Sequence, residues 1–349
     1  MSRQLCLDTI WLRPTPRIAH TEYAGTHVSL LKHVTGLDPD DPAQAGECNR
    51  KFNELWDIDF GWGVHDGTAN WGAGRVTDMG HAVYFEDARD LRQASASPFT
   101  DVEEVWEFDP VKEYGLPDFD ELVKFYEGIH QSNLVNSPEL LVTGGYYKSI
   151  ISGAIQSFGW DMLLLAAHDQ VKFAKVLERF AAYTMHHVKA WAKTSIEVFM
   201  QHDDMVWTEG PFIHPNFYRS AIFPHFRDFW KVLKDAGKKI LFTADGTFDM
   251  FIDDLVDCGA DGFCFEPTNS LDMMAGKYGK THVLIGSKVD CRTMTFGTWD
   301  QVRREIDATL AIAKDCPGFI WCVGNHMPAN IPIEMCDQYM EYLRANWAR

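Results

Sequence analysis

Positive charge is in short supply. The chain has 32 lysines and arginines against 50 aspartates and glutamates, a formal net charge of −18, and a sequence pI of about 5.1. Such a surface repels nucleic acid and anionic membrane, so neither is expected as a partner. No stretch approaches the roughly 18 apolar residues that a membrane-spanning helix needs. The start, "MSRQLCLDTIWLRP", lacks the apolar core of a signal peptide. There is no CxxC: the eight cysteines lie apart at 6, 48, 258, 264, 291, 316, 322 and 336. That usage is expected of reduced thiols buried as small apolar residues in a cytoplasmic protein. Also missing are a G-x-G-x-x-G or GxxxxGK(S/T) phosphate loop, an internal repeat, a low-complexity tract and a flexible linker.

What is present is a large apolar fraction, 46% of 349 residues, enough to build one extensive core or two smaller ones. The twelve tryptophans serve either core packing or the walls of a pocket. Residues 1–120 read as an irregular N-terminal extension, with loop-like "LDPDDPAQAGE" and "GVHDGTANWGAGR". From 138 to 345 the order is regular. "ELLVTGG", "IEVFMQHDD", "KKILFTADG", "ADGFCFEP", "THVLIGSKVD" and "GFIWCVGNH" read as strands, separated by segments with helical spacing. One of these, "TWDQVRREIDATLAIAKDC", has Thr298 as its expected N-cap. The strands lack polar alternation, as expected when both faces are covered. Alternating strands and helices predict an α/β fold, and without a phosphate loop the better choice is a single (β/α)8 TIM-type barrel over 1–349.

Each strand ends on polar residues, and in a barrel those ends share one rim. Asp245, Glu266 and His326 end three strands, while His202, Asp203 and Asp204 end a fourth. Carboxylates and imidazole together suit acid/base work or a divalent metal, or else they cap the helices that follow. Alternation places Cys264 on the same side as Glu266. "GPFIHPNFYRSAIFPHF", with His214, Phe217 and Tyr218, and "GWGVHDGTANWG", with Trp62, His65 and Trp71, are lids or packed surface loops.

The run "HDDMVWTEGPFIHPNFYRSAIFPHFRDFWKVLKDAGKKILFTADG", the run "FIDDLVDCGADGFCFEPTNSLDMMAGKYGKTHVLIGSKVDCRTMTFGTWDQV" and the close "VGNHMPANIPIE" resemble the uroporphyrinogen decarboxylase superfamily. A weaker likeness lies in "RPTPRIAHTEYAG". The resemblance implies a (β/α)8 barrel with an N-terminal extension and one of two activities. The decarboxylases use an arginine-rich "RQAGR", of which Arg13 and Arg17 keep only the spacing. The corrinoid-dependent methyltransferases exchange methyl groups with a cobalamin held on a separate corrinoid protein. Those acting on thiols hold zinc through His-x-Cys and a distant Cys, where this chain has Thr243-Ala244-Asp245.

That departure fits an oxygen-bound methyl. The expected function is therefore transfer of methyl from a small methoxylated aromatic to cob(I)alamin on a corrinoid protein. Zinc is expected at Asp245, Glu266 and His326. His202 and Asp204 are expected to complete that metal shell or to join Asp245 in acid/base work, with Trp62, Trp207, Phe212, Tyr218 and Asp290 contacting the donor. A cofactor-free decarboxylase and a non-catalytic ligand-binding barrel are the alternatives, and self-association as a homodimer is left open.

Overall fold

The computed structural model describes residues 1–25, 27–65, 74–79, 96–324 and 326–349. Its strands are β1 (Ala19–His20), β2 (Phe60–Gly61), β3 (Leu141–Val142), β4 (Gly144–Tyr146), β5 (Val198–His202), β6 (Lys239–Thr243), β7 (Gly262–Cys264), β8 (Val283–Gly286) and β9 (Phe319–Trp321). All the pairings between them are parallel, in the order β1-β9-β8-β7-β6-β5-β4, with β2 on β3. β3 and β4 are two halves of one barrel position, interrupted at Thr143. The seam between β1 and β2 closes through the Asp59 N–H on the His20 carbonyl, 2.7 Å, and the Thr21 hydroxyl on the Phe60 carbonyl, 2.7 Å. Eight strand positions thus form the (β/α)8 barrel that the alternating pattern predicts.

The first 120 residues are not merely an irregular cover. They contribute β1, β2 and the helices Arg3–Ile10, Val28–Thr35 and Ala45–Leu55, followed by the shorter Val102–Glu107 and Pro110–Tyr114. Two-residue strands are too short to show a period in sequence, which is why they read as loop. The helix Arg3–Ile10 carries Cys6 and Ile10 into the same apolar cluster as Ala19, Phe60, Leu141, Met200, Leu241 and Ile320, and so plugs the barrel from below.

A second, larger apolar layer lies between the strands and the surrounding helices, of which Gln170–Ala192 is the longest described. Helix ends follow local chemistry. Thr298 caps Trp299–Ala313 in a capping box, the Gln301 side chain accepting from the Thr298 N–H at 2.8 Å. The helical run "NFYRSAIFPHFRDFWKVLKDAG" is broken at Ile222 into Pro215–Ala221 and Phe223–Asp235, because Pro224 has no N–H to continue the ladder. All eight cysteines are free, and only Cys291 is not fully buried. No helix among the described residues is long and apolar enough to cross a membrane.

Candidate functional site

The carboxyl ends of the strands surround a cavity of about 400 Å³. Its polar lining comes from the ends of β5, β6 and β7 and from the loop after β9: His202, Thr243, Asp245, Glu266 and His326. Tyr23, Trp62, Tyr147 and Phe265 supply aromatic walls. The thiols of Cys264 and Cys322 line it as well and are hydrogen-bonded to one another, which, with burial, pushes the Cys322 thiol well above its usual value. Trp62 reaches the cavity through a close chain approach. Its neighbour Gly63 lies against β3, where an added Cβ would sit 1.7 Å from the Thr143 carbonyl oxygen. The Trp62 indole N–H then donates to the Thr21 hydroxyl at 3.3 Å.

The densest polar grouping is at the end of β5. His202 Nε2 and Asp204 Oδ1 are 2.8 Å apart, and the Tyr147 hydroxyl donates to Asp204 Oδ2 at 2.8 Å. The Asp245 N–H donates to Asp204 Oδ1 at 3.0 Å, and the Tyr147 and His202 rings stack with centroids 4.1 Å apart. Glu266 is held from β6, accepting from the Gly246 N–H at 2.7 Å. Gly246 has φ +86 and its Cα faces the Trp207 carbonyl, where a Cβ would come within 2.5 Å, so only glycine places that donor. Among the described residues one group of three potential metal donors closes up. His202, Asp204 and Asp245 each offer an atom within 4.8 Å of the others. Glu266 and His326 line the same cavity but stand outside that group.

Charge decides the protonation states here. Burial depresses the His202 imidazole, but the Asp204 charge and hydrogen bond, aided by Asp245 and Asp203, outweigh it and leave it raised. Burial raises Asp204, while His202, the Asp245 N–H and Tyr147 overcome this and hold its carboxyl well below the usual range. Asp245 is exposed to solvent across the open mouth, yet the cavity walls crowd it. That confinement, then Asp204, then Glu266 push its carboxyl up to about 7, with His202 opposing. Burial lowers His326 against the pull of Glu266.

These shifts carry a sign for stability. His202 and Asp245 both hold protons more tightly in the folded chain, so the native state binds more protons and stability falls as pH rises. The Asp245 contribution is lost from the ordinary aspartate range, about 4, up to about 7. The His202 contribution is complete below its ordinary value of about 6.5 and disappears as pH climbs through its raised one. Urea midpoints measured from pH 5 to 8 should fall in the native chain relative to Asp245→Asn, which lacks that carboxyl.

Several residues selected from the sequence lie elsewhere. Trp207 is absent from the cavity lining: it is exposed and packs on Trp160 and Phe212. Phe212 belongs to that outer cluster, and Tyr218 is fully buried with its hydroxyl on the Met205 carbonyl at 2.7 Å. Asp290 lines a smaller adjoining cavity of about 240 Å³, where it caps the helix Cys291–Phe296. Asp203 points away from the mouth, fully buried, and accepts from the Ser149 hydroxyl and the N–H groups of Ile150 and Ser152. His214 caps Pro215–Ala221, and Phe217 packs on Phe173. His65 bridges to Tyr146, and Trp71 lies outside the described residues. Tyr23 and Tyr147 were not legible as site residues. The signal available was an aromatic residue just beyond an apolar strand, which is common in any core.

The arginines of "RPTPR" are also accounted for. Arg13 pairs with Asp8 at 3.1 Å, and Arg17 makes a two-pronged pair with buried Asp59 at 2.7 and 2.8 Å. Neither lines the cavity, and no lysine or arginine does among the described residues.

The sequence matches the family model for uroporphyrinogen decarboxylase (URO-D) over residues 150–345, more than half of the chain. The fold is similar to that of a methyltransferase from Methanosarcina mazei at 15% identity, with a TM-score of 0.64 over 99% of this chain and 98% of that one. A B12-independent methionine synthase from Shewanella sp. W3-18-1, in complex with selenomethionine, aligns over 95% of this chain and 98% of that one at 10% identity and a TM-score of 0.43. No curated protein matches. The matched segment carries β5 to β9, and with them His202, Asp204, Asp245, Glu266 and His326: the chain belongs to the uroporphyrinogen decarboxylase (URO-D) family.

Proposed function

We propose that the chain is the methyl-transferring component of a corrinoid system, taking methyl from a small methoxylated aromatic and passing it to cob(I)alamin on a partner protein. The observation that carries this reading is the acid cluster itself. Asp245 and its partners His202 and Asp204 stand together at the mouth of a cavity walled by aromatic rings. The fold shared with a methyltransferase over nearly the whole chain agrees with it. The decarboxylase alternative needs cationic side chains to hold a multiply anionic substrate, and Arg13 and Arg17 are engaged elsewhere.

An aryl methyl ether resists cleavage because phenolate is a poor leaving group. In the proposed step the methyl–oxygen bond breaks with its electron pair left on oxygen. The methyl passes to cob(I)alamin, which supplies the electron pair of the new bond. Asp245, protonated near neutrality, gives its proton to the departing oxygen. His202, paired with Asp204, restores that proton from the aqueous mouth, and Tyr147 fixes Asp204 in the orientation that pairing requires. Trp62, Tyr23 and Phe265 exclude water from the ring of the donor.

The same donor set fits a divalent ion. Hard carboxylate oxygens with one imidazole match zinc, and carboxylates crowded around one point create the field a cation relieves. His202, Asp204 and Asp245 would hold it, with Glu266 and His326 available from the other walls, and it would supply Lewis acidity at the ether oxygen. The test is the purified chain mixed with a methoxylated aromatic and cob(I)alamin, followed by absorbance, together with its metal content. Formation of methylcobalamin and the free phenol in equal amounts is expected. Release of carbon dioxide from a carboxylated substrate by the chain alone would replace this reading with decarboxylation.

A further inference from the structure

The part of the cavity wall that carries Tyr23 and His326 is built from segments distant in sequence. Beyond β1 and β9 the ladder continues. The Thr21 N–H donates to the Trp321 carbonyl at 2.8 Å, and the Met327 N–H donates to the Tyr23 carbonyl at 2.9 Å. Between those bonds a short stretch after β1 faces a longer one after β9, so the longer one must leave the ladder, and His326 lies in it. The Glu22 side chain, fully buried, fills the gap. Its Oε2 accepts from the Val323 N–H at 3.0 Å. Its Oε1 accepts from the Tyr339 hydroxyl and faces His20 Nε2 at 3.1 Å. Both of these partners are fixed from behind. The Trp321 indole N–H donates to the Tyr339 hydroxyl at 2.7 Å, and His20 Nδ1 lies 2.9 Å from the Trp56 carbonyl oxygen. The carboxylate thus gives the buried Val323 N–H an acceptor that the interrupted ladder does not supply.

On its other side the same stretch is tied to the loop after β8, the Gly324 N–H donating to the Val289 carbonyl at 3.0 Å. A Cβ on Gly324 would lie 1.9 Å from Pro267 Cδ, so the chain is pressed against that neighbour. The His326 ring then stands edge-on to Tyr23, with centroids 6.3 Å apart. Resting on the methyl-transfer reading, we propose that Glu22 is a positioning residue: by joining the Tyr23 segment to Val323 it sets where His326 stands on the cavity wall. Small displacements of a wall group weaken catalysis out of proportion to their size, which gives a buried carboxylate remote from the chemistry an effect on rate.

The test uses the full chain with ring-labelled histidine, the His326 imidazole signals being assigned by their loss in His326→Ala. Glu22→Ala should move those signals and leave the His202 signals in place. It should also lower kcat/KM for para-methoxybenzyl alcohol and cob(I)alamin by about tenfold. In a chain already carrying His326→Ala, the same change should alter the rate by less than about twofold, because the group being positioned is gone. Glu22→Gln keeps an acceptor for the Val323 N–H and offers an N–H to His20, so it should recover most of the lost rate. Tyr339→Phe, which removes a single tether without changing shape, should move the His326 signals in the same direction by less, and it serves if Glu22→Ala does not fold. Unmoved His326 signals in either variant overturn the proposal. So does an equal loss of rate with and without His326, which would make Glu22 a structural group alone. Should the His326 signals move as expected while no chain, the native one included, methylates cob(I)alamin, the positioning stands and the methyl-transfer reading fails.

Discussion

Asp245→Asn should lower the rate of methyl transfer by about 10²- to 10⁴-fold, the usual worth of a positioned general acid. The asparagine keeps the shape of the side chain and the backbone N–H that donates to Asp204, so the fold and the binding of the donor should change little. The loss should therefore appear in kcat with KM nearly constant, as expected for a group that acts only as the bond breaks. The native rate should fall as pH rises through about 7, where Asp245 gives up its proton. That limb should vanish from the residual activity of the variant. Removing a carboxyl that is costly to ionise beside Asp204 and Glu266 should also raise stability at neutral pH, the opposite of its effect on rate. A variant with the native rate and native pH profile would remove Asp245 from the chemistry. Equal loss of bound metal and rate would move it from acid to ligand.

The largest effect on stability should come from the other end of the barrel. Asp59 is completely buried and accepts both guanidinium prongs of Arg17 together with the N–H groups of Ser2 and His20. Arg17 in turn lies over the Trp347 ring at 4.6 Å, so this one carboxylate ties the N-terminal segment, the β1–β2 seam and the C-terminal end together. Asp59→Ala leaves a mostly buried guanidinium and two N–H donors without their acceptor, which should cost about 3–5 kcal/mol. A urea titration should show a lower midpoint with an unchanged slope. Well below the unfolding temperature the folded fraction should keep its methyl-transfer rate, because Asp59 precedes β2 and lies at the opposite end from the cavity. A drop of less than about 1 kcal/mol would show that the pair contributes little beyond local order.

Arg17 also illustrates how far a motif can mislead. Its spacing from Arg13 is shared with an arginine-rich segment of the decarboxylases, but spacing along the chain says nothing about the counter-charge it meets. Asp59 lies 42 residues away, and only folding brings the two together. Trp207, Phe212 and Tyr218 were misplaced for a related reason. An aromatic side chain after a strand is equally at home in a pocket wall or a packed corner, and the Trp160 ring draws this cluster outward.

The sequence by itself determined the barrel and its rim. Apolar strands without alternation, each followed by a helical repeat, admit few arrangements, and parallel barrel strands must bring their carboxyl ends to one face. For that reason His202, Asp245, Glu266 and His326, each at or just beyond the end of an apolar run, were legible as neighbours and do line one cavity. Tertiary structure alone decided which of them touch. Asp203 and Asp204 are adjacent in sequence, yet one is buried as a helix cap and the other joins His202 and Asp245. Alternation along a strand sets them on opposite sides, but the twist and closure of the barrel determine which side is the mouth. The same closure brought in β1, β2, Tyr23 and Tyr147, whose placement depends on partners far along the chain and on strands too short to carry a pattern of their own.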